Sequence, residues 1–174
     1  STLSDRANRA DAAVAFGESN AALLNAGVLR ESMAQQRRLE ASMMAIGATN
    51  AVEIERLGKE WEQAVAASKA VAERIDKAAS ADEVHTMTAN HGKLLGEYAA
   101  VIKPLVGQLA GATIDGAVAL AYAAKAEDTV KQMGANVEAL TSVQLAHVHG
   151  LRAHAEQRAA IADVVKLGLM GMTL

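Results

Sequence analysis

The sequence predicts an all-α protein, an up-down-up-down antiparallel four-helix bundle with long first and fourth helices. Apolar residues recur at alternating spacings of three and four along nearly the whole chain, as in helices packed against other helices. Half of the 174 residues are apolar, yet there are only one Trp, two Tyr and one Phe, so the core must be aliphatic and alanine-rich. The apolar and polar alternation typical of β-strands is missing.

Glycine and capping signals set the helix boundaries within a single predicted domain, residues 1–174. Asn50 and Glu53 have the spacing of a capping box at the start of the second helix, and Ser80 and Glu83 repeat it at the start of the third. Pro104 should kink the third helix. The four helices are predicted over residues 3–46, 51–79, 81–110 and 115–170.

Each helix has a seam, the line of residues expected to face the bundle interior. The seam of the first helix is Leu3, Ala7, Ala10, Val14, Gly17, Ala21, Leu24 and Val28. Continued strictly, it selects Glu31, Gln35, Arg38 and Ser42. Shifted by one residue, it selects Ser32, Gln35, Leu39, Met43 and Ile46. In either register Gln35 points inward and Arg38 lies inward or beside the seam. Such buried polar groups must be satisfied by the protein or by a ligand, unless Arg37 and Arg38 form a solvated face.

The other three helices carry longer and more regular seams. The second is Ile54, Leu57, Trp61, Ala64, Ser68, Val71, Ile75 and Ala78. The third is Val84, Met87, His91, Leu95, Tyr98, Ile102, Leu105 and Leu109. The fourth is unbroken and contains Ala119, Tyr122 or Ala123, Ala126, Val130, Met133, Val137, Leu140, Gln144, His147, Leu151, His154, Arg158, Ile161 and Val165.

Both chain ends are expected at one end of the bundle, and the turns at Gly47 and Gly111 form the far tip. The chain begins without Met or a signal peptide, which indicates a piece cut from a longer protein. Residues 164–174 carry one charge and are shorter than the roughly 20 residues that span a bilayer. We expect them to begin a truncated membrane helix; the alternative is a bundle helix that ends in an apolar stripe.

Three of the four aromatic residues are expected in the same layer as the polar part of the first seam. Measured from the tip, the layer lies about 9 to 14 residues along each helix. Its members are Gln35, Trp61, Tyr98 and Tyr122. A pocket here would combine apolar walls with a few polar groups, and Arg38 or Arg37 would select a carboxylate through a bidentate pair. The alternative is that Trp61 and Tyr98 only fill volume and Gln35 satisfies the tyrosine hydroxyl.

The chain resembles the four-helix-bundle sensor domain of methyl-accepting chemotaxis proteins in three features. These are the order of long, short, short and long helices, the arginines late in the first helix, and the string GATIDGA that opens the last helix. The resemblance implies a periplasmic domain that dimerises through its first helix and binds small molecules between the first and fourth helices, in the membrane-distal half. The family's aspartate-type receptors place arginines late in the first helix, where Arg37 and Arg38 lie and Arg30 lies nearby. It therefore implies a small di- or tricarboxylate ligand, such as a C4 acid or citrate; an aromatic acid stacked on Trp61 or Tyr98 is the second choice.

The candidate ligand-binding residues are Arg37, Arg38, Gln35, Arg30, Met43, Trp61, Tyr98 and Tyr122. Small residues line the first helix and permit close approach of a partner helix, which predicts a weak homodimer that ligand tightens. These residues are Ala7, Ala10, Ala13, Gly17 and Ala21. Membrane contact is expected only through flanking helices outside this sequence.

Other functions are disfavoured by composition and motifs. A net charge of -3 without a basic patch argues against nucleic-acid binding. Cysteine, a phosphate-binding loop and HExxH are missing, so we expect no enzymatic activity, no cofactor and no metal. His147 and His154 share a face, which permits metal or pH sensing but favours hydrogen bonds within the bundle or across a dimer. The alternative function is a structural, surface-associating amphipathic helical protein, such as a granule coat, without a small ligand.

Overall fold

The structure is a computed structural model that describes residues 2–171, with the surroundings of most side chains from 20 to 161. It is 94% helical, and the described residues include no strand, which confirms the predicted all-α four-helix bundle. The α-helices are α1 Thr2–Ile46, α2 Ala51–Ala78, α3 Asp82–Ala110, α4 Gly116–Ala123 and α5 Glu127–Gly171. The predicted fourth helix corresponds to α4 and α5 together.

The predicted fourth helix is interrupted, although its predicted seam is confirmed from Ala119 to Gln144, where every position is buried except the half-buried Val130. A 3-10 turn at Ala124–Ala126 separates α4 from α5, and α3 contacts this turn. Just before the turn, Ala123 is buried and Tyr122 is exposed, which resolves the two alternatives of the predicted seam. Pro104 lies inside α3, and because proline has no N–H, the carbonyl of Ala100 loses its usual helical donor.

The helix starts follow the capping signals in part. Asn50 accepts a hydrogen bond of 3.1 Å from the backbone N–H of Glu53, as its spacing predicts. The second capping box is wrong, because α3 begins after Ala81, which makes no side-chain cap. At α4 the carboxylate of Asp115 accepts from the N–H of Val118 at 2.8 Å.

Two glycines allow the backbone to pack closely at the end of α1. Gly47 has a φ of +59°, in the left-handed region that commonly ends helices at glycine. A Cβ atom on Gly116 would lie 2.2 Å from the carbonyl oxygen of Met44. Glycine is therefore required where α1 ends against the start of α4.

The chain divides into two compact units, one of residues Leu24–Thr141 and one of Ser1–Leu23 with Ser142–Leu174. The core of the first unit is aliphatic around two aromatic rings, as composition predicts, and its largest members include Met43, Ile54, Trp61, Tyr98, Ile102, Leu109 and Met133. In the second unit the buried side chains are Ala22, Gln144 and Val148 among those the structure describes. No described helix is both long enough and apolar enough to cross a membrane. The side chains of residues 164–174 lie outside the description.

The seams of α2 and α3 are largely correct. On the described part of α1 the strict register is wrong by one or two residues, whereas the shifted register is correct at Ser32 and Met43. Leu24 and Val28 are 72% and 50% exposed, whereas Ala26 and Leu29 are fully buried. The buried line of α1 is Ala22, Ala26, Leu29, Ser32, Gln36, Glu40 and Met43. The error arose because α1 has small and apolar residues on several faces. On α5 the predicted seam positions His147 and His154 are also exposed.

Candidate binding site

A chain of hydrogen bonds crosses the unit of residues 24–141 from its core to its surface. The indole N–H of Trp61 donates to the Tyr98 hydroxyl at 3.1 Å, and that hydroxyl donates to Glu40 Oε2 at 2.7 Å. Arg37 Nη1 donates to both oxygens of Glu40 at 2.8 Å, and Arg37 Nη2 donates to Glu127. We call these five residues the Glu40 network. It joins α1, α2, α3 and the first residue of α5.

Burial decreases along the Glu40 network. Trp61 and Tyr98 are each 1% exposed, and their ring centroids lie 5.8 Å apart with a tilt of 55°. The Glu40 side chain is 6% exposed, but those of Arg37 and Glu127 are 34% and 45% exposed. The Arg37 side chain is therefore bound by a buried carboxylate and by a partly exposed one, and it is itself partly exposed.

Burial and charge act in opposite directions on the network. Burial raises the pKa of Glu40, against the hydrogen bond from Tyr98 and the charge of Arg37, which lower it. Burial, followed by the charge of Glu40, raises the pKa of the Tyr98 hydroxyl. Burial lowers the pKa of Arg37, but Glu40 and Glu127 outweigh it and raise the pKa overall. With both carboxylates ionised, two negative charges face one positive charge, so an added anion requires a carboxylate to leave.

A second polar layer lies deeper along the same helices and is uncharged; we call it the His91 layer. Ser32 Oγ and Gln36 Nε2 donate to the carbonyl oxygen of Ala64 at 2.9 and 3.2 Å. Ser68 Oγ and His91 Nε2 lie 3.3 Å apart, at hydrogen-bond distance. His91 is fully buried, its Nδ1 has no partner within the described part of the chain, and burial lowers its pKa to about 4. Its imidazole is therefore neutral at physiological pH.

Four of the predicted site residues come together. Arg37, Trp61 and Tyr98 belong to the Glu40 network, and Met43 is fully buried in the same core. Trp61 and Tyr98 hydrogen-bond to each other, so both fill the core as the alternative reading of the sequence expected. The group that accepts the Tyr98 hydrogen bond is Glu40, however, and not Gln35.

The other four predicted site residues lie outside the Glu40 network. Gln35, Arg30 and Arg38 are exposed, and Arg38 pairs with Glu31 at 2.7 Å. Tyr122 is 47% exposed. The inward placement of Gln35 was wrong because a shift of one residue turns a helix by about 100°. Arg38 lies on a solvated face, as the alternative reading of the sequence expected. The neighbouring residues Gln36 and Arg37 take the inward positions that the sequence predicted for Gln35 and Arg38.

Sequence reasoning missed three members of the two polar layers: Gln36, Glu40 and Glu127. A usable signal was the turn glycine, Gly47, which is buried at the end of α1. Steps of three and four taken backwards from Gly47 reach Met43, Glu40 and Gln36. The pairing with Glu127 could not be found in this way, because it depends on the 3-10 turn that precedes α5.

Along the described part of the chain, two of the cavities lie beside predicted site residues, and Arg37 lines neither of these two. A cavity of about 510 Å³ between α2 and α3 has Trp61 in its wall. Lys103 and Glu62 also line it, and Lys103 Nζ lies 2.9 Å from a Glu62 carboxylate oxygen. A cavity of about 440 Å³ lies where α3 faces α4, and it includes Tyr122. Among the described side chains, no group of three or more His, Asp or Glu is placed to hold a metal ion.

No family model, curated protein or solved structure matches this chain. A functional proposal therefore depends on the contacts and charges described above, together with the sequence resemblance.

Proposed function

We propose that this chain is the periplasmic ligand-binding domain of a transmembrane chemoreceptor, and that it senses a small organic acid, a di- or tricarboxylate such as a C4 acid or citrate. The observation that carries the proposal is the placement of Arg37. Its guanidinium is held by the buried Glu40 and also bonds to Glu127, whose side chain is nearly half exposed. A guanidinium held in this way suits bidentate recognition of a carboxylate.

The ligand carboxylate would exchange with Glu127. Glu40 is buried, binds Arg37 through both oxygens and accepts a further hydrogen bond from Tyr98, so its departure would leave several buried groups unpaired. Glu127 is nearly half exposed and can turn into water at little cost. Its replacement by a ligand keeps the number of charges at Arg37 unchanged.

Such an exchange alters a link between two long helices. Glu127 is the first residue of α5 and follows the 3-10 turn, whereas Arg37 belongs to α1. A 3-10 segment within a helical stretch often marks a hinge. Ligand binding at Arg37 would thus release the start of α5, and helix movement would pass the signal across the membrane through flanking helices.

We further propose that the domain forms a homodimer through α1. Leu24 and Val28 are exposed apolar residues on this helix, and Gly27 beside them has no heavy atom near the position of a Cβ. A second α1 helix could approach closely there and cover both side chains.

The second candidate function is a structural bundle that associates with surfaces and has no small ligand. The observation in its favour is that the polar side-chain groups of the Glu40 network already have partners within the chain. Exposed apolar residues on α1 would then contact lipid instead of a second protomer.

Calorimetric titration with succinate and citrate at fixed pH tests the proposal. Arg37→Ala should weaken binding by roughly thirty-fold or more, about 2 kcal/mol, because it removes the charge-assisted pair. Arg38→Ala is the matched control: the neighbouring arginine is exposed and pairs with Glu31, so its loss should change affinity less than about threefold.

Equal effects of the two substitutions would show that Arg37 has no special role. Absence of binding to every acid, with binding to lipid vesicles, would favour the structural bundle. Sedimentation of the same samples tests assembly, because only monomer at high concentration with and without citrate rejects the dimer.

A further inference from the structure

The cavity beside Tyr122 has the properties of a separate ligand site, which we call the Tyr122 pocket. Its volume of about 440 Å³ falls within the range of about 300 to 1,000 Å³ typical of small-molecule sites. It lies at the level where Pro104 interrupts the hydrogen bonding of α3 and where the 3-10 turn follows α4. Its main lining residues are Val101, Pro104, Leu105, Ile114, Tyr122 and Lys125.

Among the described residues that line the pocket, Lys125 is the one with a charged side chain. Lys125 Nζ lies 4.6 Å from the centroid of the Tyr122 ring. Within the described part of the chain, no carboxylate lies within ion-pairing distance of Lys125, whereas Lys103 and Lys131 each pair with one. A cation resting on a ring face retains donors for an anion. The pocket therefore carries an uncompensated positive charge.

The walls of the pocket restrict the ligand further. Val101, Leu105 and Ile114 are apolar, and the other polar groups in the lining are neutral: the Gln108 amide and the Tyr122 hydroxyl. An apolar ligand body would bury its surface against these walls. A second carboxylate on the ligand would find no cation there and would lose hydration without compensation.

We propose that the Tyr122 pocket binds a monocarboxylate with an aromatic or branched apolar body, with its carboxylate on Lys125 and its body between α3 and α4. This site is separate from the one proposed at Arg37. Neither Arg37 nor Glu40 lines it, and it disfavours the dicarboxylates proposed for the Glu40 network. The inference stands on different residues and does not require the proposed function.

Benzoate is the probe, and its binding to the whole chain is measured by ligand-observed NMR and calorimetry. Lys125→Gln should weaken benzoate binding by roughly five- to tenfold, as expected for a partly exposed charge pair. Tyr122→Ala should weaken it similarly by removing one wall. Lys131→Gln is the matched control, because Lys131 is exposed on α5 and lies outside the pocket. Both Lys125 and Tyr122 are exposed, so the melting temperature should not change.

Three results would overturn the inference. Benzoate binding that is equal in wild type, Lys125→Gln and Tyr122→Ala would place the probe elsewhere. Benzoate binding that is lost in Arg37→Ala but kept in Lys125→Gln would assign it to the Glu40 network and leave the function proposed there intact. Failure of benzoate to bind at millimolar concentration would show that the pocket takes no such acid, whatever succinate does at Arg37.

Discussion

The Glu40 network and the His91 layer place polar groups in the interior of the same compact unit, but they do so in opposite ways. The first is charged, its side-chain groups are paired, and it continues to the surface through Arg37 and Glu127. The second is neutral and buried, and no partner for Nδ1 of His91 lies among the residues that the structure describes. Thus the burial of Glu40 is tolerated because its charge is paired, whereas the burial of His91 is tolerated because its ring is uncharged.

The two regions also differ in access: Arg37 and Glu127 are partly exposed, whereas His91 is fully buried. In the proposed function, the partly exposed carboxylate of Glu127 is replaced at Arg37 by that of the ligand, with little disturbance of the core. At His91 any added charge or polar group would have to enter a sealed interior. We therefore expect ligand effects at the first and pH effects on stability at the second.

The largest expected effect is the loss of stability on removing Glu40. Glu40→Ala leaves the Tyr98 hydroxyl and Arg37 without their buried acceptor, which should cost about 4 kcal/mol in the free energy of unfolding. Glu31→Ala is the control, since Glu31 pairs with the exposed Arg38 and its removal should cost less than about 0.5 kcal/mol. Urea denaturation of both variants measures the difference. Equal losses would mean that the network is no more than a surface ion pair.

The next effect concerns pH and the His91 layer. The pKa of His91 is about 4 in the folded chain, below its ordinary 6.5, so the unfolded chain binds the proton more readily. The stability due to neutral His91 is therefore present above pH 6.5 and is lost as pH falls towards 4, by about 3 kcal/mol in total. The raised pKa of Glu40 acts in the opposite direction, because its contribution is lost as pH rises.

Comparison with His91→Leu isolates the histidine. Between pH 7 and 4.5 the variant should lose much less stability than the wild type, as measured by denaturation at each pH. His149→Leu, at an exposed position, should keep the wild-type pH dependence. If His91→Leu kept it as well, neutral burial of His91 would not be the source of acid sensitivity.

The sequence predicted the α2 and α3 faces well because Trp61, Ile75, Leu95 and Ile102 leave one clear apolar line on each helix. On α1 the strict register was wrong by one or two residues, although the shifted register was correct at Ser32 and Met43. Alanine and glycine there contribute little apolar area, so Leu24 and Val28 dominated the pattern although both are exposed. A short side chain can face either the core or solvent without much change in free energy.

The candidate site could also be predicted only in part, because one of its ion pairs joins residues far apart in the sequence. The sequence indicated an arginine late in the first helix near Trp61 and Tyr98, and Arg37 does reach them through Glu40. It did not indicate that Arg37 would already be paired, because Glu127 lies 90 residues away and is brought close by tertiary structure. Pairings of this kind leave no local pattern in a single sequence.

The most direct test of the account is the affinity of Glu127→Gln for succinate. If Glu127 competes with the ligand for Arg37, removing its charge should tighten succinate binding by about fivefold, roughly the 1 kcal/mol of a partly exposed ion pair. Asp128→Asn is the matched control, because it removes the adjacent carboxylate, which pairs with Lys131, and should leave affinity unchanged. Calorimetry that shows unchanged or weaker succinate binding in Glu127→Gln would contradict the exchange at Arg37.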